Sequence, residues 1–214
     1  MTPFALALSA IVAPTFLRVL PGGAEVAIAT DSELVQRATE GDRHACDALV
    51  ARHIAAVLRR AQRLLGPTAD AEDVVQDAFY EALRDLSRLE DKSRFGAWVQ
   101  KIAIHHVHRR FRRRKLRRAL GISSSTDDQA LSQLVADRAD TSVRAQLSQL
   151  DALLAHQAPR DRLAWMLRHV EGLLLDEVAQ QLDISLATAK RGIARVQTKV
   201  TQRFGPELFV EEPQ

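Results

Sequence analysis

The stretch HHVHRRFRRRKLRR (105–118) places eight Lys or Arg and three His in fourteen positions, with no acid among them. Groups of this kind neutralise phosphates and release the counterions held around a polyanion. A solvated, disordered tail is the plainer alternative, and Arg112–Arg118 alone would fit it. The apolar, Trp-bearing FGAWVQKIAI (95–104) that leads into the block argues against a tail, because it gives the charge a packed helix to stand on. Lys101, Arg109, Arg110 and the run beyond would then form a cationic wall. A metal site at His105, His106 and His108 is disfavoured, since the spacing is not i, i+4 and no Cys or carboxylate accompanies it. The sequence carries no Gly-rich phosphate loop, no nucleophile with a base at a meaningful spacing and no metal-ligand cluster. It therefore reads as non-enzymatic, with no cofactor and no metal.

A second segment, LLLDEVAQQLDISLATAKRGIARVQTKV (173–200), has the spacing of a helix-turn-helix. Leu175, Val178, Ala179 and Leu182 line one face of a short helix. Asp183, Ile184 and Ser185 make a tight turn in which Ile184 plugs the angle and Ser185 caps the next helix. Leu186, Ala189, Ile193, Val196 and Val200 then fall on one side. At 100° per residue, Thr188, Arg191, Arg195 and Thr198 face the other way. Small Ala179 at the crossing allows a steep approach of the two helices. An ordinary helical hairpin is the alternative; the capped, polar-faced second helix favours a unit that reads DNA.

The elements behind these groups are helical throughout. The chain has 214 residues, 46% of them apolar, enough for one core or two small ones. The net charge is only +3, but residues 95–120 hold nine bases and no acid, whereas 31–94 and 121–214 each hold ten bases and thirteen acids. One segment thus sets the basic character. The single cysteine, Cys46, forms no intramolecular disulfide and is expected as a small core residue in a reducing compartment. Residues 1–30 are apolar but interrupted by Pro14 and preceded by no Lys or Arg, so a poorly ordered extension is expected rather than a secretory signal or a membrane span. Asp31 is expected to cap a first helix. A second takes in Ala45, Leu49, Ile54, Val57, Leu58 and Leu64 and stops at Gly66-Pro67. In TADAEDVVQDAFYEALRDL (68–86) the stripe Val75, Phe79, Ala82, Leu86 opposes Asp73, Gln76, Asp77 and Tyr80. Alone, that acidic side would be an unremarkable solvated face. Phe95, Trp98, Val99 and Ile102 form the buried face of the basic helix. Residues 119–142 are Ser- and Asp-rich and read as a linker with at most one weak helical turn. Fully extended they reach at most about 80 Å.

The order of DAEDVVQDAF (70–79), RFGAWVQKIAIHHVHRRFRRR (94–114), a linker and LDEVAQQLDISLATAKRGIARV (175–196) resembles bacterial RNA polymerase sigma factors of the sigma-70 family. The likeness is to the small extracytoplasmic-function (ECF) subfamily, over roughly 31–118 and 143–204. It implies an all-α protein: an N-terminal extension (1–30), a region 2-like domain (31–118), a flexible linker (119–142), a region 4-like helix-turn-helix domain (143–204) and a tail (205–214). The implied partners are core RNA polymerase, through its β′ and β subunits, and promoter DNA; an anti-sigma factor is a further candidate. The implied core-binding residues are Asp73, Gln76, Asp77 and Tyr80. The connection 87–94 corresponds to the loop that holds a flipped −10 base. Arg88, Lys92, Arg94, Lys101, His105, Arg109, Arg110, Arg112 and Arg113 would face the −10 DNA. Ser185, Thr188, Lys190, Arg191 and Arg195 would face the −35 element. The resemblance implies a cytoplasmic protein without membrane insertion. A helix-turn-helix regulator that never engages polymerase is the alternative. The sequence departs from the family at His105, where Asn is usual, at ATA (187–189) and at Gly192, which either lets a phosphate approach closely or is simply tolerated.

Overall fold

A computed structural model of the chain describes residues 29–122, 129–134 and 141–205. The expectations for residues 1–28, for 123–128 and 135–140 within the linker and for the tail beyond 205 lie outside those residues. Nine α-helices and two 3-10 turns make up the described residues, with no strand among them. They are α1 (Asp31–Thr39), α2 (Arg43–Leu65), α3 (Ala69–Arg84), α4 (Phe95–Ala119), α5 (Ala130–Leu134), α6 (Thr141–Ala155), α7 (Pro159–His169), α8 (Leu175–Gln181) and α9 (Leu186–Phe204). The 3-10 turns, Leu86–Arg88 and Lys92–Arg94, lie between α3 and α4. The fold is all-α, as expected. Its contacts divide it into two compact units, 1–61 with 69–106, and 62–68 with 107–214; the division runs through the continuous helices α2 and α4.

In the first unit, Thr30 rather than Asp31 caps α1. The Thr30 hydroxyl accepts the Glu33 N–H at 3.3 Å, and the Glu33 carboxylate accepts the Thr30 N–H at 2.7 Å. This reciprocal pairing satisfies two donors that a helix start otherwise leaves open. Asp31 is turned to other use, accepting from Arg52 at 2.7 Å and meeting His53 Nε2 at 2.8 Å. Helix α2 ends where anticipated: Gly66 takes φ +85°, and Pro67 cannot continue the helix. The stripe Val75, Phe79, Ala82 and Leu86 is buried. Burial of a side chain such as Phe79 stabilises by roughly 1.5–3 kcal/mol, which outweighs any weak propensity in so short a helix. Phe95, Val99 and Ile102 are also buried, but Trp98 is only half-buried, its ring meeting that of Phe95 edge-on at 6.3 Å. The Trp98 edge of α4 therefore lies at the rim of the core rather than inside it. Cys46 is half-buried rather than in the core, and burial raises its thiol above the ordinary value.

The second unit is built around Trp165, Leu163, Met166, Leu167, Leu154, Val196 and Val200, all essentially inaccessible. The Trp165 indole N–H donates to Gln197 Oε1 at 2.8 Å, so the ring is buried without leaving its one donor unpaired. Helix α7 starts at Pro159, whose missing N–H costs nothing in the first turn. Within the expected linker, α5 is a single docked helical turn: Ala130, Leu131 and Ser132 are buried, and Asp151 of α6 receives its backbone. The later half of α4 belongs to this unit. There Arg162 of α7, 2% exposed, stacks over the Phe111 ring at 4.0 Å.

Candidate nucleic-acid interface

Helix α4 carries no acidic residue over its 25 positions. Ile104, Val107 and Phe111 hold its inner face, which leaves Arg109, Arg112 and Arg113 exposed and Lys101, His105 and Arg110 partly so. Lys101 and His105 fall in the half of α4 that belongs to the first unit, and Arg109, Arg110, Arg112 and Arg113 in the half that belongs to the second. Arg114 departs from the expected phosphate-facing run: it is 5% exposed. Its position continues the spacing 104, 107, 111, so the inward face of α4 passes through it. The side that remains open is cationic along most of the helix.

The connection ahead of α4 is ordered by its own side chains. Asp91 accepts the Ser93 N–H at 3.0 Å and the Ser93 hydroxyl at 2.6 Å. Those two bonds hold the Asp91 carboxyl below its ordinary value, which keeps it an acceptor in acid. Leu86 is buried and anchors the first turn. Lys92 reaches Gln36 of α1, so α1 braces the second. Arg88 and Arg94 are exposed at the edge of this connection. Gly96 fixes where α4 begins: a Cβ there would lie 2.7 Å from the His53 ring, already held by Asp31. Neither Gln36 nor His53 was singled out from sequence, because both act on residues more than forty positions away.

On α3 the expected face is present. Asp73, Asp77 and Tyr80 are exposed, Tyr80 to 46%, and Gln76 is half-buried. Asp77 also has an internal contact, 3.5 Å from Nδ1 of the buried His106, whose Nε2 meets Glu81 at 2.9 Å. The His of α4 that the sequence left without a role thus ties α3 to α4.

In the helix-turn-helix, Val178 and Ala179 are buried, Leu175, Leu182 and Ile184 half-buried. Asp183 turns the corner at φ +51°, a left-handed conformation that Asp tolerates better than most residues. Ser185 caps α9 as expected, accepting the Thr188 N–H at 3.2 Å and pairing with the Thr188 hydroxyl at 2.8 Å. Ala189, Ile193, Val196 and Val200 are buried. Leu186 is 42% exposed instead, so it lies outside the buried side of α9. Lys190, Arg191 and Arg195 are exposed, and Thr188 half-buried. Arg191 donates to its own helix at Thr188, at 3.3 Å, whereas Arg195 is gripped by Asp161 of α7 through Nε and Nη2, both at 3.0 Å. Gly192 is buried against α7, its missing Cβ facing Asp161 at 2.7 Å. It therefore cannot be the point at which a phosphate approaches. Among the described residues no cluster of His, Cys, Asp or Glu could hold a metal ion, and no helix is long and apolar enough to cross a membrane.

Residues 49–117, the span from within α2 to the last turn of α4, match the sigma-70 region 2 family. The chain is 27% identical over 172 residues to RNA polymerase sigma factor NccH of Alcaligenes xylosoxydans xylosoxydans, a match covering 80% of this chain and 92% of that one. It is 28% identical to the RNA polymerase sigma-H factor of Pseudomonas aeruginosa and 27% identical to the ECF RNA polymerase sigma-E factor of Escherichia coli K12. Each of those matches covers 83% of this chain and 95% of the relative. The fold is similar to that of CnrH, solved in complex with the cytosolic domain of CnrY, with a TM-score of 0.51, 24% identity, and coverage of 83% of this chain and 98% of that one. With its acid-free α4, capped α9 and near end-to-end likeness to these relatives, the chain belongs to the sigma-70 family of RNA polymerase sigma factors, in the ECF subfamily.

Proposed function

We propose that this protein is a non-catalytic, cytoplasmic initiation subunit that joins core RNA polymerase and directs it to promoters with particular −35 and −10 elements. The observation that carries this reading is α4, one continuous helix whose inner face is packed and whose open face is cationic. Melting a promoter requires unstacking that costs a few kcal/mol, and positive side chains beside the opened strands offset it by holding phosphates. In this reading Arg88, Lys92, Arg94, Lys101, His105, Arg109, Arg110, Arg112 and Arg113 serve the −10 element. Ser185, Thr188, Lys190, Arg191 and Arg195 serve the −35 element. The domain assignment is residues 31–118 for core and −10 DNA, 119–142 as linker and 143–204 for −35 DNA. Asp73, Gln76, Asp77 and Tyr80 form the docking face for the β′ subunit, and β is a second contact on the polymerase. An anti-sigma factor as regulatory partner is proposed on family membership alone. Competition for core polymerase against an unrelated sigma factor tests the reading: displacement is expected. A chain that binds promoter fragments by itself and never displaces the competitor would be a helix-turn-helix regulator instead.

A further inference from the structure

Arg195 stands on the open side of α9, and its side chain is 59% exposed, yet its guanidinium is not loose. Asp161, on α7 and only 15% exposed, accepts from Nε at 3.0 Å and from Nη2 at 3.0 Å. This side-on grip uses the Nε hydrogen and one Nη2 hydrogen. The outer edge of the same plane still presents one N–H from Nη1 and one from Nη2, side by side. That is the fork which pairs with O6 and N7 of a guanine in the major groove.

Gly192 makes the grip possible. A Cβ at 192 would sit 2.7 Å from Asp161 Oδ1 and 3.4 Å from its Cγ, so any other residue must push the carboxylate away. A glycine in mid-helix weakens the helix relative to alanine, and here the close approach of Asp161 explains its presence. The charge balance points the same way. A carboxylate held against a guanidinium cancels much of its attraction for a phosphate, so the pairing serves a directional contact better than a backbone one. It also fixes beforehand a long side chain whose rotamers would otherwise have to be frozen on binding. Arg191, one turn earlier and bonded only to Thr188 in its own helix, lacks such a support.

We infer that Asp161 and Gly192 are positioning residues that present Arg195 edge-on to a guanine of the −35 element, making Arg195 a specificity-determining contact of this sigma factor. The inference rests on the proposed reading of the −35 element by α9. The test measures binding of holoenzyme, made with the full chain, to a library in which each −35 position is varied. The proteins are wild type, Arg195→Lys, Asp161→Asn and the double variant, with thermal melts to confirm folding. Arg195→Lys keeps the charge and loses the planar fork; Asp161→Asn keeps the shape and halves the grip. Each single change should reduce discrimination at the same one guanine by roughly 5- to 100-fold. The double variant should lose no more than the larger single effect, because the two residues act as one unit. Affinity for sites already lacking that guanine should barely move in Arg195→Lys, which keeps the charge, and should not fall in Asp161→Asn, which removes a negative one. A uniform loss across the library, or unchanged discrimination in Arg195→Lys, would make Asp161–Arg195 a strut between helices and overturn the inference. If wild-type holoenzyme itself shows no −35 preference, the parent reading of α9 fails, and this inference with it. Should Asp161→Asn melt early, Arg195→Lys alone decides, since the Arg195 side chain is 59% exposed and lysine keeps its charge.

Discussion

Asp151→Ala isolates the docking of the linker helix. The Asp151 carboxylate is 1% exposed and accepts the Leu131 N–H at 3.1 Å, the Ser132 N–H at 2.9 Å and the Ser132 hydroxyl at 3.1 Å. A helix of five residues has no stability of its own, so α5 depends on these bonds and on burying Ala130 and Leu131. Removing the acceptor strands two buried N–H groups, at about 1–3 kcal/mol each if α5 stays in place. Undocking relieves that penalty but exposes Leu131, whose burial is worth about 1.5–3 kcal/mol. The loss is therefore limited to the docking free energy, about 2 kcal/mol, and should stay local. Hydrogen exchange of the 131–134 amides should accelerate about 30-fold, that energy expressed as a rate ratio, while α7 and α9 remain protected. The pH dependence has a definite sign. Burial outweighs the hydrogen bonds and raises the Asp151 carboxyl above its ordinary value. A carboxyl that binds its proton more tightly when folded contributes stability that is fully present below its unfolded value and is lost as pH rises through the raised folded value. Wild type should thus lose stability relative to Asp151→Ala as pH is raised above the ordinary carboxyl value. Unchanged exchange at 131–134, or a uniform loss throughout the second unit, would refute this picture of a locally docked linker.

Three other outcomes are expected. Asp73→Lys should weaken core binding in a competition assay with little change in melting temperature, since exposed charges contribute little to stability; Asp77→Lys should in addition loosen the α3–α4 contact at His106. Neutralising Arg112 and Arg113 together should lower affinity about equally for all sequences and flatten the salt dependence of DNA binding by roughly two counterions. Gly96→Ala should destabilise by about 1–2 kcal/mol in chemical denaturation, because overpacking against His53, pinned by Asp31, outweighs the better helix propensity.

Most of the fold was legible because helices announce themselves locally. The stripe Val75, Phe79, Ala82, Leu86 and the Ser185 cap rest on neighbours within a turn or two, where sequence spacing equals spatial spacing. The departures come from contacts between elements. Arg195 is held by a residue 34 positions earlier, and nothing in the recognition helix signals that Gly192 faces α7. Asp151 lies about twenty residues from the backbone it caps, so a polar linker conceals a docked turn. Arg114 is the exception that could have been read: the sequence Ile104, Val107, Phe111, Arg114 keeps the inward spacing, but the surrounding run of Arg and Lys at 112–115 obscured it.

Whether this protein directs initiation is decided by run-off transcription with core polymerase on a library of randomised −35 and −10 sequences. Transcripts that require this protein and start downstream of one preferred pair of elements are expected. Transcription unchanged by its addition, even though the protein binds DNA and remains folded, would contradict that role.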